Sequence, residues 1–292
     1  MRIVSYSLDE ERDYGFMISR SEFIPREFVE SALGFGLPRD LKALLPDREL
    51  LQLIESTLKE TKIEALPLDA VHLGPPIPNP GKIICLGLNY EDHIEEAEHE
   101  ASEGLPIFFK PSTALTGPYD PIVKPEFVKQ LDYEIELAVV IADRCKNVRT
   151  SEAMYHVFGY MILNDVSARD IQFKDGQWTR GKSFDTFAPT GPSLVSADEI
   201  GDPHNLRMLT RVNGEVRQSS NTSRMLLKVP EIISILSQGM TLEAGDVIAT
   251  GTPGGVGIFW KPAPRLLKPG DTVEMWIEKI GSIKNLVVSE GE

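Results

Sequence analysis

The sequence predicts a mainly-β α+β fold, on three observations. Eight segments of strand-like texture follow residue 81, the helical patterns between them are few and short, and strands do not alternate regularly with helices. Regular alternation would give a doubly wound parallel sheet, whereas strands broken by occasional helices give an α+β architecture. Taken in order, RIVSYS and YGFMIS read as short strands around a polar turn between Asp9 and Asp13. Residues 47–60 carry Leu50, Leu51, Ile54 and Leu58 at helical spacing, with Asp47 placed to cap the helix. The stretch 74-GPPIPNPG-81, with four prolines and two glycines, forbids regular structure and marks a boundary between a small N-terminal domain (1–75) and a larger one (76–292). The strands expected beyond it are KIICLG (82–87), LPIFFK (105–110), YEIELAVVIA (133–142), VFGYMILNDV (157–166), RMLTRVNG (207–214), GDVIAT (245–250), DTVEMWI (271–277) and SIKNLVV (282–288). Asn213-Gly214 supplies the positive φ angles of a hairpin turn. VPEIISILSQG (229–239) reads as a helix opened by Pro230 and stopped by Gly239.

Composition narrows the function. The chain has 292 residues, 41% apolar and 25% charged, as in a globular protein. No apolar run approaches the ~18 residues that a membrane helix needs. The acidic MRIVSYSLDEERDYG start has no apolar core of a secretory signal, so a cytoplasmic location is expected. A net charge of −14 argues against nucleic acid as a partner. Cys85 and Cys145 alone make neither a disulfide framework nor a zinc site.

The segment 131-LDYEIELAVVI-141 sets two acids against the most hydrophobic strand pattern of the chain. On a strand Glu134 and Glu136 share one face, about 6.6 Å apart along the chain. A solvated face explains such a pair, and so does a cation. A third acid, Asp165, ends the apolar run of GYMILND. Three carboxylates without cysteines or a histidine pair would form an all-oxygen site, suited to Mg²⁺, Mn²⁺ or Ca²⁺.

Six segments in order resemble the fumarylacetoacetate hydrolase family: KIICLGLNYEDH (82–93), LDYEIELAVVI (131–141), GYMILNDVSARDIQ (159–172), GKSFD (181–185), RVNGEVRQSSNTS (211–223) and MTLEAGDVIATGTPGGVG (240–257). The first 75 residues resemble the smaller, variable N-terminal domain of many members. The resemblance implies a mixed β-sandwich roll, a homodimer and a divalent metal, Mg²⁺ or Mn²⁺ before Ca²⁺, held by Glu134, Glu136 and Asp165. Asp132 shares their face but matches no ligand position, and is read as a strand-end or hydrogen-bonding residue.

Family substrates resemble 2-oxo or 2,4-dioxo acids, whose carboxylate and carbonyl can chelate a cation that acts as a Lewis acid and stabilises an enolate. The segment 89–102 resembles the family's lid, and its thin stripe of Ile94, Ala97 and Ala101 predicts a poorly anchored helix. His93 and Glu96 stand three apart on it, the pair that activates water in hydrolytic members. His99 is a weaker candidate, and His72, His156 and His204 are read as structural. Lys182 resembles the catalytic lysine, Arg169 and Gln172 match pocket-lining positions, Thr252 matches a substrate-binding hydroxyl, and Lys110 is a supporting base. The glycine loop 251-GTPGGVG-257 lacks a Walker lysine and a following helix, so nucleotide binding is rejected.

These residues predict a metal-dependent enzyme. Hydrolytic C–C cleavage of a 2,4-dioxo acid of the acylpyruvate or fumarylacetoacetate type comes first. Decarboxylation of an oxaloacetate-like acid follows, then isomerisation or tautomerisation of an oxo acid or dienoate. VNGEVRQSSNTS and GTPGGVG look much like segments of members named isomerases. A non-catalytic metal or oxo-acid binder is the reading from another class.

Overall fold

A computed structural model of the chain describes residues 1–9, 11–97 and 105–291. The expected mainly-β architecture is observed. Strands β1 (Arg2–Leu8), β2 (Glu11–Met17) and β3 (Glu22–Pro25) lead into helices α1 (Arg26–Leu33) and α2 (Arg48–Glu60). Then come β4 (Ile83–Leu86), α3 (Glu91–Ala97), β5 (Ile107–Lys110), β6 (Ile135–Ile141), β7 (Val157–Asn164), α4 (Arg169–Asp175) and β8 (Ala188–Ser196). The chain closes with β9 (Arg207–Val212), β10 (Glu215–Asn221), α5 (Val229–Ser237), β11 (Val247–Ala249), β12 (Thr272–Ile277) and β13 (Gly281–Ser289).

One mixed sheet runs β3-β2-β1-β8-β7-β6-β11-β4-β5, and a second runs β10-β9-β12-β13 and on to Ile122–Lys124. Strand β6 shows why the sheets pack as they do. All seven of its residues are buried, so both faces must meet apolar partners. Ile135, Leu137, Val139 and Ile141 join Met208, Val273, Met275 and Ile283 of the second sheet in one core. Ala138 and Val140 point the other way, into a core built with Ile3, Phe16, Val29 and Ile54 from the N-terminal strands and helices. The N-terminal strands extend the large sheet, since Arg2 and Ile3 pair with Val195 and Leu194.

Local signals act as their chemistry dictates. The Asp47 side chain accepts from the Leu50 N–H and caps α2, whose Ile54 is fully buried. Asn213 and Gly214 take φ of +52° and +82° at the β9–β10 hairpin. Residues 74–81 adopt neither helix nor strand. The strand expected over 133–142 is different. Leu131–Asp132 is a separate short strand paired with Ser167–Ala168, and β6 starts only at Ile135. The break has a cause: the Tyr133 N–H is bonded by its neighbour Asp132, and the Glu134 N–H by the side chain of Asn164. Those two amides are therefore unavailable to a ladder. Among the described residues no helix is long and apolar enough to cross a membrane.

Candidate active site

The break between 132 and 135 sits at the end of the large sheet, and the chemistry gathers there. Glu134 precedes β6, Glu136 lies at its start, and Asp165 follows the last residue of β7. Carboxylate oxygens of all three lie within 4.8 Å of one another, and all three side chains are buried. A solvated face is thereby excluded for the glutamate pair.

Lysines enter from two other elements. Lys182, in the turn Arg180–Lys182, places Nζ 2.7 Å from both Glu134 Oε2 and Asp165 Oδ2. Lys110, the last residue of β5, donates to Asp165 Oδ1 and is as buried as the acids. It is a central member of the cluster, closer in than the supporting base expected for it. Arg169 opens α4 and puts Nη2 2.6 Å from Glu134 Oε1 and Nε 2.9 Å from Asp132 Oδ2. Gln172, one turn on, accepts from Arg169 Nη1 at 3.1 Å.

Burial alone would raise the Glu134 carboxyl, but Lys182 and Arg169 hold it well below the usual carboxylate range. Glu136 goes the other way. Burial first, then the charges of Asp165 and Glu134, push its carboxyl well up, and Glu136 accepts a hydrogen bond from the Gly251 N–H at 2.7 Å. Burial would lower the Lys182 ammonium, yet Asp165 and Glu134 hold it above its ordinary value.

The donor set fits a hard divalent cation: three converging buried carboxylates, of which Glu136 is pushed towards its neutral form by burial and by Asp165 and Glu134. Counted formally, Asp132, Glu134 and Asp165 match Arg169, Lys182 and Lys110, so Glu136 supplies the one excess negative charge when it ionises. A divalent ion would reverse that sign and make the site attractive to an anion.

Helix α3 presents His93, only 7% exposed, with Nδ1 2.9 Å from Glu96 Oε1. The described part of this helix is better held than its thin apolar stripe predicts, because its anchors are polar. Ser220 donates to Asp92 at 2.6 Å, and the Gly255 N–H donates to Glu96 at 2.6 Å. Just before the helix, Asn89 bonds the backbone of Leu227 and Thr250. His99 and Ala101 lie outside the described residues. A cavity of about 50 Å³ is lined by His93, Glu134, Arg169, Gln172, Lys182 and Thr252, with Phe108, Trp178 and Phe259 as aromatic walls. His72, His156 and His204 pair with Asp120, Asp143 and Asp202, away from it. A larger cleft beside α2, about 420 Å³, shares no residue with the carboxylate cluster.

Sequence reasoning missed Gln218. It is fully buried, donates to Thr252 Oγ1 at 2.9 Å and accepts from the Ile135 N–H at 3.1 Å, tying the glycine loop to β6. Its place inside VNGEVRQSSNTS was the signal that could have singled it out. Phe108, Trp178 and Phe259 had no such signal.

A family model described as "Fumarylacetoacetate (FAA) hydrolase C-terminal" matches residues 82–288. The chain belongs to the fumarylacetoacetate hydrolase family. It is similar to a Bos taurus protein named oxaloacetate tautomerase FAHD2A, mitochondrial, at 45% identity, over 90% of this chain and 88% of that one. Among solved structures it is similar to a probable 2-hydroxyhepta-2,4-diene-1,7-dioate isomerase from Mycobacterium abscessus, at 36% identity and a TM-score of 0.81, covering all of both chains. A maleylpyruvate hydrolase from Sphingobium sp. SYK-6, solved in complex with manganese(II) and pyruvate, gives 32% identity and a TM-score of 0.81 over 99% of each chain. Members of this family are enzymes, and these relatives span tautomerase, isomerase and hydrolase names.

Proposed function

We propose that this chain catalyses proton transfer between the enol and keto forms of a small 2-oxo acid of the oxaloacetate kind, with Mg²⁺ or Mn²⁺ held by Glu134, Glu136 and Asp165. The observation that carries the reading is one cavity lined both by His93, which is paired with Glu96, and by Glu134 of the buried three-carboxylate cluster. The tautomerase name of a 45% identical relative favours this reaction, so tautomerisation moves ahead of the C–C hydrolysis placed first on sequence grounds.

When bound, the divalent ion supplies Lewis-acid polarisation of the 2-oxo group. The protein's own groups do the rest. Glu96 engages His93 Nδ1, which fixes the tautomer and leaves Nε2 to take or return the proton at the carbon beside the carbonyl. Lys182, fixed by two carboxylates, keeps a positive charge beside the reacting oxygens. Thr252 Oγ1 accepts from Gln218, so its own proton is free to meet a substrate oxygen. Arg169 donates through Nε to Asp132 and through Nη1 to Gln172, while its buried Nη2, ion-paired with Glu134, has no hydrogen-bond acceptor among the described residues and is left to meet a substrate oxygen.

Hydrolysis of a 2,4-dioxo acid is the second reading, because the same pair can activate water. A divalent-ion or oxo-acid binder without catalysis is the third. Dimerisation, implied by the family resemblance, is part of the proposal. The cytoplasmic expectation gains nothing from relatives named mitochondrial.

The test follows the ultraviolet absorbance of enol-oxaloacetate with Mn²⁺-loaded protein, beside pyruvate release from acetylpyruvate. Ketonisation faster than in the metal-only blank is expected, with His93→Ala lowering kcat by roughly 10²-fold or more at little change in KM. No acceleration over the blank overturns the tautomerase reading. Pyruvate release in its place installs the hydrolase.

A further inference from the structure

The glycine run 254–257 binds no nucleotide by its sequence, and its backbone shows another use. Four consecutive N–H groups are divided between two carboxylates from distant parts of the chain. Gly255 and Val256 donate to Glu96 of α3, at 2.6 Å and a longer 3.4 Å. Gly257 and Ile258 donate to Asp132, at 2.8 and 3.0 Å. These amides already serve anions belonging to the protein, so no phosphate cradle is left over.

Each carboxylate has a second hold. Glu96 is the partner of His93. Asp132, with no exposed surface, also accepts from Arg169, whose guanidinium reaches Glu134. Phe259 follows directly in the loop and sets its ring 6.1 Å from the His93 imidazole. The loop therefore holds Glu96 of the histidine pair directly and reaches Glu134 of the carboxylate cluster through Asp132 and Arg169.

Glycine is required for this approach. A Cβ at 255, where φ is +101°, would lie 2.2 Å from the Arg217 carbonyl oxygen, and one at 257 would lie 2.5 Å from Asp132 Oδ1. Any side chain there pushes a carboxylate or a neighbouring strand away.

We infer that residues 255–258 form a carboxylate clasp that fixes the His93–Glu96 pair relative to Arg169 and Glu134, with Asp132 as its positioning residue. Asp132 does not line the cavity; it holds the loop amides, Arg169 and the Tyr133 N–H. Hydrogen bonds to an ionised acceptor are stronger than neutral ones, so two such acceptors on adjacent amides stiffen the loop. Coupling between the two ends must be reciprocal: whatever loosens one carboxylate loosens the hold on the other. The catalytic meaning of the clasp rests on the function proposed above, but its existence does not.

Hydrogen exchange on the full chain, resolved to single amides over 255–258, separates the two. Asp132→Asn is expected to speed exchange of Gly255, Val256 and helix α3 by roughly tenfold, although Asp132 touches none of them, while α2 stays protected as the control. Glu96→Gln is expected to do the same to Gly257 and Ile258, and it decides the matter if Asp132→Asn fails to fold. Effects confined to each carboxylate's own two amides overturn the clasp. In turnover the two substitutions should be non-additive, and purely additive losses in kcat count against it. If no turnover is found at all, the function has failed, and the exchange pattern still tests the clasp.

Discussion

Glu136 is the residue on which the site's electrostatics turn. Its carboxyl titrates well above the usual range because it is buried beside Asp165 and Glu134. The folded chain then holds that proton more tightly than the unfolded chain does. Stability from it is present below the ordinary carboxylate range and is lost as pH rises towards the raised value. Glu134 contributes oppositely. Its depressed carboxyl adds stability above the ordinary range that disappears as pH falls through the folded value. A divalent ion takes Glu136 as carboxylate and releases its proton, so the gain in Tm from Mn²⁺ should be larger at about pH 8 than at about pH 5. A gain independent of pH would contradict this charge arrangement. Glu136→Gln should stabilise the protein in chelator by on the order of 1–3 kcal/mol and abolish the Mn²⁺ gain, as read by thermal denaturation. The acids were legible because they interrupt apolar runs and match a family motif. The place of Lys110 was not, since its partner Asp165 stands 55 residues away and only the fold brings them together.

Elements differ in how much of their structure is local. Helix α2 is almost wholly so: a capping Asp47, a first-turn Glu49 and an apolar spacing that buries Ile54. Ile54→Ala should lower stability by about 2–5 kcal/mol in urea denaturation, because it empties space beneath Phe16 and Val29 in the same core. A loss below 1 kcal/mol would mean that the helix packs more loosely than its burial states. The stretch 133–142 is the opposite case. Its pattern predicts one continuous strand, yet Asp132 and Asn164 capture the amides at 133 and 134. Periodicity records burial and cannot record a side chain competing for a backbone N–H. The described part of helix α3 carries polar anchors for a related reason, since its thin apolar stripe says nothing of Ser220 and Gly255.

At the scale of the molecule, the family motif carried the fold, while the strand order had to come from coordinates. Nothing local places β1 against β8, or β11 parallel to β4, because each pairing joins segments more than 100 residues apart. The whole chain carries −14, yet the site is balanced to within one charge before any cation enters. A keto acid is therefore not expected to bind well in chelator, and its affinity should rise steeply with added metal. Sedimentation velocity reads the proposed assembly, a dimer being expected and a monomer at all concentrations counting against it. The most direct measurement titrates Mn²⁺ calorimetrically into the wild type, Glu136→Gln and Asp165→Asn. One ion bound per chain in the wild type, with affinity lost in both variants, is the predicted result. Undiminished binding in either variant, or none in the wild type, would contradict a metal shared by Glu134, Glu136 and Asp165.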